Sequence, residues 1–131
     1  MIALRTVIAT AVIGLGILLS ANTTATAEYD AFAALKAYDS ADPANRKVWE
    51  LIFGNTQNGI NWANAVLIQR KQQPLYCAPD NWSPTGPGAL EMLREITNSN
   101  PDLLNIPYGF VILLALQKKY PCLPQPDSDG T

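Results

Sequence analysis

The stretch "DPANRKVWELIFGNTQNGINWANAVLIQRKQQP", residues 42–74, decides the fold. It opens with Asp42 and Pro43. An aspartate side chain accepts hydrogen bonds from the free N–H groups that begin a helix. Proline suits the first helical position, where an N–H is not needed. Pro74 closes the stretch. Between these ends, Val48, Leu51 or Ile52, Asn55, Gly59, Trp62 and Val66 recur at helical spacing. Trp49, Phe53, Thr56, Ile60, Ala63 and Leu67 form the adjoining stripe. Together they make the wide apolar face of a core helix. Gly54 and Gly59 each cost about 1 kcal/mol of helix stability relative to alanine. Close packing by a neighbouring helix is the expected reason for both. A turn at "GNTQNG" that splits the stretch is the competing reading; one helix, kinked at most, is expected.

The flanking segments extend the pattern. Upstream, "AEYDAFAALKAYDS" (residues 27–40) reads as a short alanine-rich helix that stops at "DSADP". Downstream, "PLYCAPDNWSPTGPG" (residues 74–88) holds too much proline and glycine for a helix and reads as a loop. A third helix is expected from Pro87 to Asn98, with Leu90, Leu93 or Met92, and Ile96 or Thr97 facing inward. A polar link, "SNPD", leads to a fourth, which starts near Pro107 and ends before Pro121. Phe110 to Leu116 contains no polar residue, so this helix is expected to be buried at the centre of the bundle; it is too short to cross a bilayer, which takes about 20 residues. Lys118 and Lys119 sit in its last turn, where cations complement the helix dipole. The expected fold class is all-α: a small bundle of four to five helices over residues 28–122. The tail "LPQPDSDGT" (residues 123–131) is expected to be disordered.

The N-terminus has a different character. Arg5 precedes an apolar run from Thr6 to Leu19, and Ala25-Thr26-Ala27 offers small residues at the positions a signal peptidase reads. This is the pattern of a cleaved secretory signal, residues 1–27, and implies a periplasmic protein with no membrane segment after cleavage. A retained anchor is the alternative, disfavoured by the short run. The formal net charge is −2, and lysines and arginines occur singly or in pairs, so nucleic-acid binding is not expected. Histidine is absent, which removes the commonest metal ligand and the commonest general base together. The chain has two cysteines, Cys77 and Cys122. In an exported protein they read as one disulfide, worth about 4 kcal/mol in the chain-entropy model. A catalytic thiolate would need a nearby histidine or other positive group.

The remaining candidates for chemistry are few. Glu91 and Glu95 share a helix face with Arg94 beside them, and Glu50 lies on the long helix; all three read as solvated rather than as an acid/base pair. No phosphate loop, metal-spaced ligand set or nucleophile elbow is present, so neither cofactor nor metal nor enzymatic activity is expected. Asn55, Asn58, Asn61 and Asn64 recur at every third position on a helix that asparagine disfavours. They form either a face that a partner reads by hydrogen bonds or a tolerated solvent face. Tyr76 is expected to cover the disulfide. Trp82 is placed equally well as a cover or as a binding anchor, since tryptophan is enriched at binding hot spots.

"FGNTQNGINWANAVL" (residues 53–67), "LYCAP" (75–79), "NPDLLN" (100–105) and "ALQKKYPC" (115–122) together resemble the Rap/Tai-type immunity proteins of type VI secretion systems. The resemblance spans Trp49 to Cys122. Some relatives carry further cysteines in the second helix, where this chain has residues such as Asn55 and Gly59, so only one bridge is expected. The resemblance implies a small helical periplasmic protein that binds a peptidoglycan-cleaving amidase and blocks its active-site cleft, often as a homodimer. It also implies that an inter-helix loop does the blocking. Two loops qualify: residues 80–88, with Asp80, Asn81, Trp82, Ser83 and Thr85, and residues 97–105, with Asn98 and Asn100; the first, with Trp82 central, is the expected contact. An acid-stress chaperone of the HdeA kind, likewise small, helical and singly disulfide-bonded, is the alternative, with a structural accessory protein as a third reading.

Overall fold

The computed structural model describes residues 28–123. The expected signal segment and residues 124–131 of the expected disordered tail lie outside the described residues. Helix α1 spans Ala31–Ser40, α2 Pro43–Gln69, α3 Gly86–Ser99 and α4 Tyr108–Lys119, with a 3-10 helix at Pro101–Asn105 between α3 and α4. The architecture is all-α with one disulfide, as the sequence implied. The starts of α1, α2 and α3 are each capped by a side chain. Asp30 accepts from Ala33 N at 2.7 Å, Asp42 from Ala44 N and Asn45 N at 2.9 and 3.0 Å, and Thr85 from Gly88 N at 3.1 Å. Helix α2 runs unbroken through "GNTQNG". It ends where Lys71 adopts a left-handed backbone, φ 55°, a conformation more often given to glycine or asparagine.

The core lies where α2, α3 and α4 meet, with α1 laid across one end. Phe53, Leu93, Val111, Ile112 and Leu116 are fully buried, and α1 contributes Ala31 and Ala34. The chain ahead of α1 pairs with the chain ahead of α4: Ala31 N donates to Ile106 O at 2.9 Å and Tyr108 N to Tyr29 O at 3.0 Å. Helices α2 and α3 touch backbone to backbone. A Cβ on Gly86 would lie 2.0 Å from Glu50 O, and one on Gly54 would lie 3.0 Å from Gly86 N. Gly54 is therefore a packing glycine, as expected. Gly59 is not: a Cβ there meets nothing within 4 Å.

Two expectations about burial are corrected. Only the stripe around Trp49, Phe53 and Ile60 faces the core; Val48, Leu51, Ile52, Trp62 and Val66 are exposed. The reason is one of supply. At 1.5 Å per residue α2 is about 40 Å long, whereas α3 and α4 are each about 20 Å, so the short helices cover only one side of the long one. Helix α4 is likewise not sealed all round. Val111, Ile112, Ala115 and Leu116 are buried, Leu113 and Leu114 are half-buried, and Phe110 is exposed.

Candidate functional site: a clamped loop

The loop from α2 to α3 has no regular structure, yet its backbone is anchored by side chains of α2. Asn64, itself buried, accepts from Leu75 N at 2.6 Å and Tyr76 N at 3.4 Å through its Oδ1, while its Nδ2 donates to Tyr76 O at 3.0 Å. Asn61 Oδ1 accepts from the Tyr76 hydroxyl at 2.9 Å. Gln57 Oε1 accepts from Thr85 N at 3.0 Å, and its Nε2 approaches Met92 Sδ at 3.5 Å. These three residues continue the Phe53 row at helical spacing, so one polar edge of α2 holds both ends of the loop. A buried side-chain amide serves here because it offers donor and acceptor together, matching the mixed needs of a non-helical backbone.

Two further ties act on the other side. Cys77 and Cys122 form the disulfide, with Cα atoms 4.9 Å apart. Cys77 N also donates to Tyr120 O at 2.8 Å, joining the loop to the end of α4. Trp82 stands between Tyr76 and Tyr120, with ring centroids 5.9 and 5.5 Å away. Tyr76 is fully buried, and burial raises the pKa of its hydroxyl. It belongs to the buried core. Trp82 is half-buried, and its two aromatic neighbours place it in the frame of the loop rather than at its crest.

The surface the loop offers is therefore narrow. Asp80, Asn81 and Ser83 are exposed, and the Trp82 N–H closes a turn on Pro79 O at 2.9 Å beneath them. Thr85 is exposed but occupied, capping α3 through its hydroxyl and bonded to Gln57 through its N–H. Asn98 and Asn100, the second candidate group, are exposed at the far end of α3. The structure does not bring the two groups together: the 14 residues of α3 hold them about 20 Å apart.

Sequence reasoning missed the clamp. Asn61 and Asn64 are neither a partner-read face nor a solvent face; they and Gln57 hold the chain's own loop. The signal was available in the register, because positions 57, 61 and 64 extend the buried Phe53 row, whereas Asn55 and Asn58 point to water. Among the carboxylates, Glu50 pairs with Lys47 at 3.1 Å and accepts from the Tyr38 hydroxyl at 3.3 Å. Glu91 and Glu95 are exposed beside Arg94, along a shallow groove with Tyr38 and Leu90. Among the described residues no group of three or more histidine, cysteine or acidic side chains is placed to hold a metal ion, and no helix is long and apolar enough to cross a membrane. No family model matches the chain, and neither curated proteins nor solved structures provide a match.

Proposed function

We propose that this protein acts by binding, as a periplasmic immunity-type inhibitor that occludes the active-site cleft of a peptidoglycan amidase. One observation carries the reading. The segment from Leu75 to Thr85 is fixed by three α2 amide side chains, a disulfide and an aromatic triplet, and it presents Asp80, Asn81 and Ser83 to solvent. A loop already held in one shape loses little conformational entropy on association, which favours tight inhibition by a small contact. Its exposed groups are acceptors and donors suited to a polar catalytic cleft. The test is titration against peptidoglycan amidases of the cysteine-histidine class, with cell-wall hydrolysis as the readout. Stoichiometric inhibition that falls at least tenfold when Asp80, Asn81 and Ser83 are all changed to alanine supports the loop. Inhibition that survives this change but disappears on replacing Asn98 and Asn100 moves the contact to the far end of α3. No binding to the amidase rejects the inhibitor reading.

The chaperone reading draws on a different observation. Three carboxylates meet α1 or the chain just ahead of it: Asp30 caps it, Asp39 pairs with Arg94, and Glu28 accepts from Gly109 N at 3.1 Å. Tyr38 of α1 packs against Phe53, so release of α1 would uncover the apolar surface around Phe53. Protection of a client protein from aggregation near pH 3, with no protection at pH 7, is the outcome that would favour it.

A further inference from the structure

The face of α2 turned away from the core is accounted for neither by the loop nor by the bundle. Val48, Leu51, Ile52, Trp62 and Val66 are exposed along it, Leu51 and Trp62 by 66% and 67%. At about 100° per residue their mean direction is roughly opposite to that of Gln57, Asn61 and Asn64, so the clamped loop lies on the other side of the helix. Only neutral side chains stand between them: from Leu51 to Gln69 there is no charged residue. Charge resumes at once beyond that stretch. Arg70 and Lys71 are exposed and adjacent, and neither belongs to an ion pair among the described residues. At the other end of α2 the charges are engaged. Lys47 pairs with Glu50, Arg46 donates to Asp39 O, and Asp42 accepts from the N–H groups it caps.

We infer that this face rests on the surface of an anionic phospholipid bilayer. No helix among the described residues is long and apolar enough to cross a membrane, but a peripheral contact requires only one face. Three observations select a lipid surface as the occupant. The first is charge. An apolar strip without charge, ending in two unpaired cations, matches a bilayer edge, where acyl chains give way to anionic headgroups. The formal net charge of the chain is −2, so attraction to such a surface comes from this pair and not from the molecule as a whole. The second is composition. Trp62 is the most exposed large side chain of the strip, and the neutral amides Asn55 and Asn58 lie beside it. Tryptophan joins an apolar body to a polar N–H and is enriched at the depth where hydrocarbon meets water. The third is shape. Clefts lie between α3 and α4 and along Tyr38 and Arg94, whereas this face is the convex side of one helix. A fluid bilayer conforms to a ridge; a folded partner has to supply a matching groove. The apolar side chains leave on the order of 500 Å² uncovered, at the upper range for an isolated protein. The inference does not depend on the inhibitor reading: the loop would face away from the bilayer, and vesicle binding is measured with no amidase present.

Co-sedimentation of the disulfide-bonded protein with vesicles tests it. Phosphatidylcholine vesicles containing about one-quarter phosphatidylglycerol are compared with pure phosphatidylcholine at low salt. Binding to the anionic vesicles at about 1 mM lipid or below is expected, with a blue shift of tryptophan emission and weakening as salt rises to about 0.5 M. Trp62→Glu should keep the helical circular-dichroism spectrum and reduce binding at least tenfold. Each basic residue near an anionic surface is worth about a fivefold gain in partitioning, so the Arg70→Gln, Lys71→Asn double variant should lose about twentyfold on the anionic vesicles. A wild-type protein that binds neither vesicle overturns the inference, as does binding that both variants leave intact. Equal binding to the two vesicle types overturns the anionic assignment. Self-association in sedimentation equilibrium that is lost in Trp62→Glu, with no vesicle binding, also overturns it and gives the face to a second copy of the chain.

Discussion

Replacing Asn64 with alanine strips the acceptor from Leu75 N–H and Tyr76 N–H and the donor from Tyr76 O, in a position only 5% exposed. Buried polar groups left without partners cost about 1–3 kcal/mol, so Asn64→Ala should lower the unfolding free energy by about 3 kcal/mol in a urea titration. Asn58 is exposed and takes no part in the clamp, so Asn58→Ala should change it by less than about 0.5 kcal/mol. Equal effects at the two positions would remove the distinction between clamp and solvent face. The glycines divide in the same manner. Gly86→Ala forces a Cβ onto the backbone of Glu50 and should cost on the order of 3 kcal/mol, whereas Gly59→Ala should stabilise the monomer by about 0.5–1 kcal/mol through helix propensity alone. Thermal denaturation of the two variants reads both signs.

At the scale of elements, the start of α2 depends on Asp42. Hydrogen bonds from Asn45, first its backbone N–H and then its side chain, hold this carboxyl below the ordinary aspartate value of 3.8. A group whose folded-state pKa is lowered contributes stability above its unfolded pKa and loses it as pH falls through the folded one. Asp42→Ala should therefore destabilise the protein at pH 7 and make progressively less difference below about pH 3.8, which paired denaturation curves would show. This element is legible in the sequence because its ends carry unambiguous chemistry: Asp42-Pro43 at one, Pro74 at the other. The side that faces inward is not legible there. Both stripes of α2 are apolar at helical spacing, so the pattern alone does not say which of them the short helices cover. The disulfide follows from two cysteines in a chain that reads as exported. The clamp does not, because counting asparagines by threes groups Asn61 and Asn64 with residues on another side of the helix.

For the whole molecule, the structure redistributes the work assigned to the disulfide. The bond between Cys77 and Cys122 closes a loop in the unfolded chain, and its removal should lower stability by up to about 4 kcal/mol. The shape of the segment between α2 and α3, however, is also set by Gln57, Asn61, Asn64 and the Tyr76–Trp82–Tyr120 triplet, none of which needs the bond. Stability and preorganisation are thus separable, and the binding function proposed for the loop rests on the second. Amide hydrogen exchange in the Cys77→Ser, Cys122→Ser double variant tests this most directly. Under conditions where the variant remains folded, the Leu75, Tyr76 and Thr85 amides should stay protected and open only with global unfolding; exchange at the rate of an unstructured peptide would contradict it.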